Sequence, residues 1–167
     1  MSNDTAIVPA EIKALVVDPT SNTPIVWLRS REESPRILPI WIGLFEANAI
    51  ALSLEGVETP RPMTHDLAVG LMGALGGSIS RVLVSDLIDG TFYAQISLES
   101  EGKTSVVDAR PSDALALALR SDAPVYVAEK VLEAALKDEK TEALKDDERI
   151  KKLLEELDDE DLGKYTM

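Results

Sequence analysis

The only histidine of the chain, His65, stands in the run Arg61-Pro62-Met63-Thr64-His65-Asp66, and a second Arg-Pro element further along reads Asp108-Ala109-Arg110-Pro111-Ser112-Asp113. Each run sets a guanidinium, a proline and acidic side chains where a helix should begin. The first turn of a helix leaves N–H groups unsatisfied and carries the positive end of the helix dipole, so anions collect there. Chemistry on phosphate is what these residue types serve. Arg61 and Arg110 offer forked donors to phosphoryl oxygens, and Ser112 adds a hydroxyl beside them. A histidine is the usual proton carrier near neutral pH. Asp66, Asp108 and Asp113 are oxygen ligands of the kind that hold Mg²⁺ or Mn²⁺. With His65 they make the candidate catalytic set, Arg61, Arg110 and Ser112 make the candidate substrate-binding set, and Glu46 is a further carboxylate. This reading requires the two helix starts to converge in the fold.

The same residue types also serve stability alone. Thr64, Asp66, Ser112 and Asp113 are all helix-capping types, worth about 1 kcal/mol each. Arg61 and Arg110 can pair with Asp66, Asp108 or Asp113 and lock the helix starts onto a sheet. Both readings stay open at this level. The series Gly70, Gly73, Gly76 and Gly77 lacks the Gly-Lys-Ser/Thr ending of a phosphate loop and precedes a strand, so it predicts close helix packing and a C-cap. Ser112 has neither a second histidine nor a nucleophile-elbow context, which argues against serine hydrolase chemistry. Trp27, Trp41, Phe92 and Tyr93 lie in apolar strands and read as core or subunit-interface residues before they read as a stacking platform for bases.

The elements that position these residues follow from pattern. Residues 11–17 and 23–29 are β-rich runs around Asp18-Pro19-Thr20-Ser21-Asn22, which predicts a hairpin. A third strand is expected over 36–42, with Pro39 placing it at a sheet edge or a bulge. Leu44, Ala47, Ile50, Ala51 and Leu54 recur at helical spacing before Gly56. A second helix is predicted from Thr64, as N-cap, towards Gly77, with Leu67, Leu71, Ala74 and Leu75 on one face. Asp89-Gly90 joins two alternating strands, and 103–107 adds a third. Pro111 suits the first turn of the next helix. A short strand at 123–127 and a short helix at 129–136 follow. The order predicts an α+β fold, a mostly antiparallel sheet with helices packed against it, as one compact domain over 1–136. Residues 137–167 read as an acidic helical C-terminal extension with the stripe Ile150, Leu153, Leu154 and Leu157.

Composition limits the partners. The 167 residues carry a formal net charge of −13, and residues 129–167 alone hold 14 acidic and 8 basic groups. Such a field repels nucleic acid, whose binders usually displace counterions with Lys and Arg. Any nucleic-acid contact must therefore be local, through a few arginines or a divalent cation. The chain has no cysteine, which excludes disulfides and thiolate chemistry and fits a reducing compartment. There is no basic start followed by an apolar run, and no apolar stretch approaches the roughly 20 residues that cross a bilayer. The expectation is a soluble, cytoplasmic protein without membrane contact.

Taken together, Leu38-Pro39-Ile40-Trp41-Ile42-Gly43 with Glu46 and Ala47, Arg61-Pro62-Met63-Thr64-His65-Asp66-Leu67, Asp89-Gly90-Thr91-Phe92-Tyr93-Ala94, Asp108-Ala109-Arg110-Pro111-Ser112-Asp113-Ala114 and Ala123-Pro124-Val125-Tyr126-Val127 resemble the bifunctional nuclease family. The likeness spans about Ile12 to Val131. It implies hydrolysis of RNA and DNA, the activity described for plant members, and assembly as a compact homodimer. It brings no agreed catalytic set, so the motif positions carry over and residue roles do not. Some relatives append a module resembling one from nucleotide excision repair, whereas this chain ends in Asp158-Asp159-Glu160-Asp161-Leu162-Gly163-Lys164-Tyr165. The resulting expectation is a nuclease acting on single-stranded RNA or DNA with Mg²⁺ or Mn²⁺ assistance at the two Arg-Pro helix starts. The alternative, favoured by charge, is a non-catalytic dimeric binding or regulatory module that holds a small anion or a protein partner there. The expected dimer would cover Trp27 and Trp41, which a domain of this size leaves exposed.

Overall fold

Largely apolar runs build the first sheet segment, an antiparallel meander of β1 (Ile7–Val17), β2 (Pro24–Ser30) and β3 (Ile37–Trp41). The computed structural model describes residues 6–158. β1 carries a register shift between Ile12 and Ala14. Val8, Ala10 and Ile12 face the main core before it, and Leu15 faces that core after it, while Ala14 and Val16 turn to the other side. One extra residue exchanges the faces because side chains alternate with a period of two. The strand therefore supplies apolar side chains to both faces of the sheet.

β4 (Gly77–Ile88), β5 (Thr91–Ser100) and β6 (Lys103–Ala109) form a second antiparallel meander. β7 (Val125–Ala128) joins the two, antiparallel to β1 and parallel to β4, to give one sheet of order β3-β2-β1-β7-β4-β5-β6. β3 lies at one edge, as Pro39 predicts. In a flat sheet β3 and β5 would stand roughly 24 Å apart, five strand spacings. Ile40 and Ile42 nevertheless share one core with Leu87 and Phe92. The sheet curls to bring them together, in the sense that strand twist accumulates.

Helices α1 (Leu44–Leu54), α2 (Thr64–Ala74) and α3 (Pro111–Ser121) pack side by side on the concave face, and α4 (Glu129–Leu136) closes it. α3 is the central one. Pro111 occupies its first turn, and Ala114, Leu115, Ala116 and Ala118 are buried; the three alanines let the helix approach the sheet closely. Asp122 ends it in the left-handed conformation, φ 53°. The opposite face of β1 and β2 is covered by α5 (Glu139–Asp146) and α6 (Glu148–Asp158), whose Leu144 and Ile150 pack on Trp27, Ile25 and Val16. Leu153, Leu154 and Leu157 of the expected stripe, and the acidic end from Asp159, lie outside the described side chains.

Three expectations need correction. Trp27 is only 1% exposed, covered by the chain's own C-terminal helices and not by a partner, and Trp41 packs beside it half-buried. Met63, not Thr64, is the N-cap of α2, because the Asp66 carboxylate accepts the Met63 N–H at 2.8 Å. The face of α2 expected to pack inward buries none of its residues.

Candidate functional site

The two Arg-Pro helix starts meet. The first turn of α2 lies along α3, and His65 Nε2 stands 2.9 Å from Asp113 Oδ1 in the first turn of α3. The other oxygen of Asp113 accepts from Arg110 Nε at 2.8 Å, and Arg110 Nη1 reaches Glu46 Oε1 at 2.7 Å. A continuous line of His65, Asp113, Arg110 and Glu46 thus crosses the starts of α2, α3 and α1. Burial alone would raise the Asp113 pKa, but hydrogen bonds from Arg110 and His65 outweigh it and hold the carboxyl below its ordinary value. The Arg110 guanidinium is held charged by Asp113 first and Glu46 second. Its Nη2 and the His65 Nδ1 make no hydrogen bond among the described residues.

Asp66 turns the other way. One of its oxygens caps the Met63 N–H and the other accepts from Arg120 Nε at 2.6 Å. The Met63 N–H is the larger and Arg120 the second reason why the Asp66 pKa lies below its ordinary value. Arg120 comes from the last turn of α3 and also donates to the Ala116 carbonyl at 2.9 Å and the Ala49 carbonyl at 3.0 Å. This side chain, 9% exposed, ties α1, α2 and α3 together. Sequence reading passed over it. The available signal was that it is the one basic residue of α3, seven positions after Asp113 and so on the same helix face.

The remaining candidates are dispersed around this line. Ser112 is buried at the start of α3, next to Arg110. Arg61 is exposed, and Asp108 lies exposed on β6 opposite Gln95, one residue before the inward-facing Ala109. Neither is joined to the line by a hydrogen bond or ion pair among the described residues. Glu46 enters the line. Gly76 adopts φ +75° after α2, as a C-cap glycine should. Gly70 and Gly73 instead face open space, so no close helix packing among the described residues explains them.

Arg120 faces Asp66, Arg110 and His65 face Asp113, and among the described residues no three His, Asp or Glu side chains are grouped to hold a metal ion. As arranged in one chain, these residues do not fit an Mg²⁺ or Mn²⁺ site. The donors left without a partner there, among the described residues, are Arg110 Nη2 and the N–H groups of Ser112 and Asp113, since Pro111 has none and the Ala114 N–H bonds the Arg110 carbonyl.

Among the described residues no helix is long and apolar enough to cross a membrane. The bifunctional nuclease domain matches residues 26–140. An uncharacterised protein of Mycobacterium tuberculosis is 46% identical over 149 residues, covering 85% of this chain and 88% of the relative. Bifunctional nuclease 1 of Oryza sativa subsp. japonica is 22% identical over 107 residues, 62% of this chain and 32% of that protein. Bifunctional nuclease 1 of Arabidopsis thaliana is 24% identical over 107 residues, 62% of this chain and 33% of its own length. The chain thus spans about a third of the plant proteins' length. The match covers the strand-to-helix junction of Glu46, both Arg-Pro helix starts and the central helix that carries Arg120, and by it the chain belongs to the bifunctional nuclease domain family.

Proposed function

We propose that the protein hydrolyses phosphodiester bonds of single-stranded RNA or DNA at the line His65, Asp113, Arg110. The 2.9 Å contact between His65 Nε2 and Asp113 carries this reading. A carboxylate that accepts from Nε2 orients the ring and leaves Nδ1 with the lone pair of a base. Water adds to phosphorus as Nδ1 takes its proton, the P–O bond breaks, and the departing alkoxide takes that proton back. Arg110 Nη2 and the α3 N–H groups meet the charge that gathers on the phosphoryl oxygens. In this scheme Asp113 positions His65 and does not itself exchange a proton.

The test is degradation of labelled single-stranded oligonucleotide by wild type, His65→Ala and Asp113→Asn. Loss of a general base should lower cleavage by about 10²- to 10⁴-fold. Equal cleavage by all three would trace the activity to a contaminant and leave the anion-holding module as the reading.

We further infer that two copies meet through α2. Leu67, Leu71 and Leu75 form an exposed stripe at i, i+4, i+8, Leu75 being 84% exposed, with Phe45 of α1 at 87%. From Leu67 to Ser80 no residue is charged. On a chain of net charge −13 this is a surface where two copies meet without opposing carboxylates, and it runs from the helix that carries His65. Sedimentation should give twice the chain mass, and Leu71→Glu should give the monomer. A wild-type monomer would overturn the assembly.

A further inference from the structure

Behind Arg110 lies a cavity of about 360 Å³ between the end of β3, the β4–β5 hairpin and the starts of α3 and α5. Trp41, Ile42, Leu87 and Phe92 give it apolar and aromatic walls, and Ser112 and Thr141 give it two hydroxyls. Ser112 is 5% and Thr141 2% exposed, and neither hydroxyl has a hydrogen-bond partner among the described residues. Two hydroxyls without an intramolecular partner, lining the same apolar space, point to a ligand that supplies donors and acceptors inside a flat, stackable frame.

We propose that this cavity is a base subsite that receives one unpaired nucleobase while its phosphate meets Arg110 and the first turn of α3. The identity of the ligand rests on the nuclease reading above; the need for a polar-edged planar group rests on the cavity alone. A hydrocarbon tail would offer neither hydroxyl a partner. A nucleobase offers a π face to Trp41 and Phe92 and a hydrogen-bonding edge to Ser112 and Thr141. The volume lies near the lower end for small-molecule sites. It admits a single base with its sugar and excludes a stacked pair, so a duplex must release the base before it can enter. The cavity thereby gives a structural cause for preference towards single strands.

The experiment titrates the intact protein with AMP, CMP, GMP and UMP, and with ribose 5-phosphate and inorganic phosphate as probes without a base. Calorimetry gives the affinities, and the indole N–H resonance of Trp41 reports entry into the cavity. Mononucleotides are expected to shift that resonance and to bind about tenfold tighter than ribose 5-phosphate, the increment of one stacked base. Phe92→Leu should abolish that margin. Because Phe92 also touches the core, Thr91→Trp at the exposed hairpin rim serves as a second variant that closes the entrance without altering the interior. Equal binding of ribose 5-phosphate and mononucleotides, or an unmoved Trp41 resonance, overturns the base subsite. If oligonucleotide cleavage persists in that case, the nuclease reading stands and only the cavity assignment falls. Selective mononucleotide binding without cleavage of any oligonucleotide retains the cavity and overturns the nuclease reading.

Discussion

Arg120 shows how one side chain can fix a site it does not enter. Each of its three nitrogens donates, to Asp66, the Ala116 carbonyl and the Ala49 carbonyl, one partner on each of three helices. The guanidinium suits this task because its planar fork satisfies several acceptors at set angles. Replacing it with Leu leaves the Ala49 carbonyl and a half-exposed Asp66 carboxylate without their partner. Arg120→Leu is expected to destabilise the protein by about 2–3 kcal/mol, and to slow cleavage through a shifted His65. Denaturant unfolding checks the first effect. Unfolding unchanged to within about 0.5 kcal/mol would show that the ion pair contributes nothing net, as exposed pairs often do. The contrast with Arg61 was not legible in the sequence. Arg61 has the motif and remains exposed, whereas Arg120 lacks the motif and holds the helices. Sequence spacing gives which residues begin helices, but the partner of an arginine is decided by which helices cross, and that depends on the curl of the sheet.

At the level of elements, the pattern of strands and helices was readable because each segment has its own period, and the turn at Asp89-Gly90 fixes the β4–β5 hairpin. Two features escaped for one reason, that a pattern tells which face is apolar and not what covers it. The apolar face of α2 was expected to pack inward and does not, while Trp27, expected at an interface, is covered by α5 and α6. α3 shows the opposite case, an apolar face that does meet the core. Leu115→Ala at its fully buried centre should cost about 2–5 kcal/mol, read from the denaturation midpoint; a smaller loss would mean that the helix does not anchor the core. Ion pairs then tie the elements at their ends. Arg36 from the start of β3 donates two bonds to Glu129 at the start of α4, at 2.6 and 2.9 Å. Arg36 holds the Glu129 pKa below its ordinary value, Lys130 does so for Asp86, and Asp66 and Asp113 are lowered as well. A carboxyl whose folded pKa lies below its unfolded one contributes stability above the unfolded value, and the contribution is lost as pH falls through the folded value. Thermal midpoints should therefore stay level from neutral pH to about 5 and fall below about 4. Glu129→Gln should fall less steeply over the same range. A midpoint that rises on acidification would contradict the sign.

For the whole molecule the decisive quantity is the field. A chain of net charge −13 repels a polyanion over distances near the Debye length, about 8–10 Å at ordinary ionic strength, and two copies double the charge. Arg110 is itself flanked by Glu46 and Asp113, so the site has little cationic excess with which to draw a strand inward. The carboxylates near it are engaged by arginine and histidine and make no three-donor metal site among the described residues. We therefore propose that divalent cations assist by screening the approach of substrate. Screening acts on association and leaves the chemical step unchanged. Mg²⁺ and Ca²⁺ at equal concentration should then lower KM alike without raising kcat, and added monovalent salt should reproduce part of the gain. A cation held by protein ligands would behave otherwise, because Mg²⁺ demands tight octahedral coordination that Ca²⁺ does not reproduce. Steady-state kinetics with Mg²⁺, Mn²⁺, Ca²⁺ and chelator separate the two cases. Activation of kcat by Mg²⁺ or Mn²⁺ with inhibition by Ca²⁺ would show that the carboxylates rearrange around a metal when substrate is bound, and would replace screening with coordination as the role of the ion.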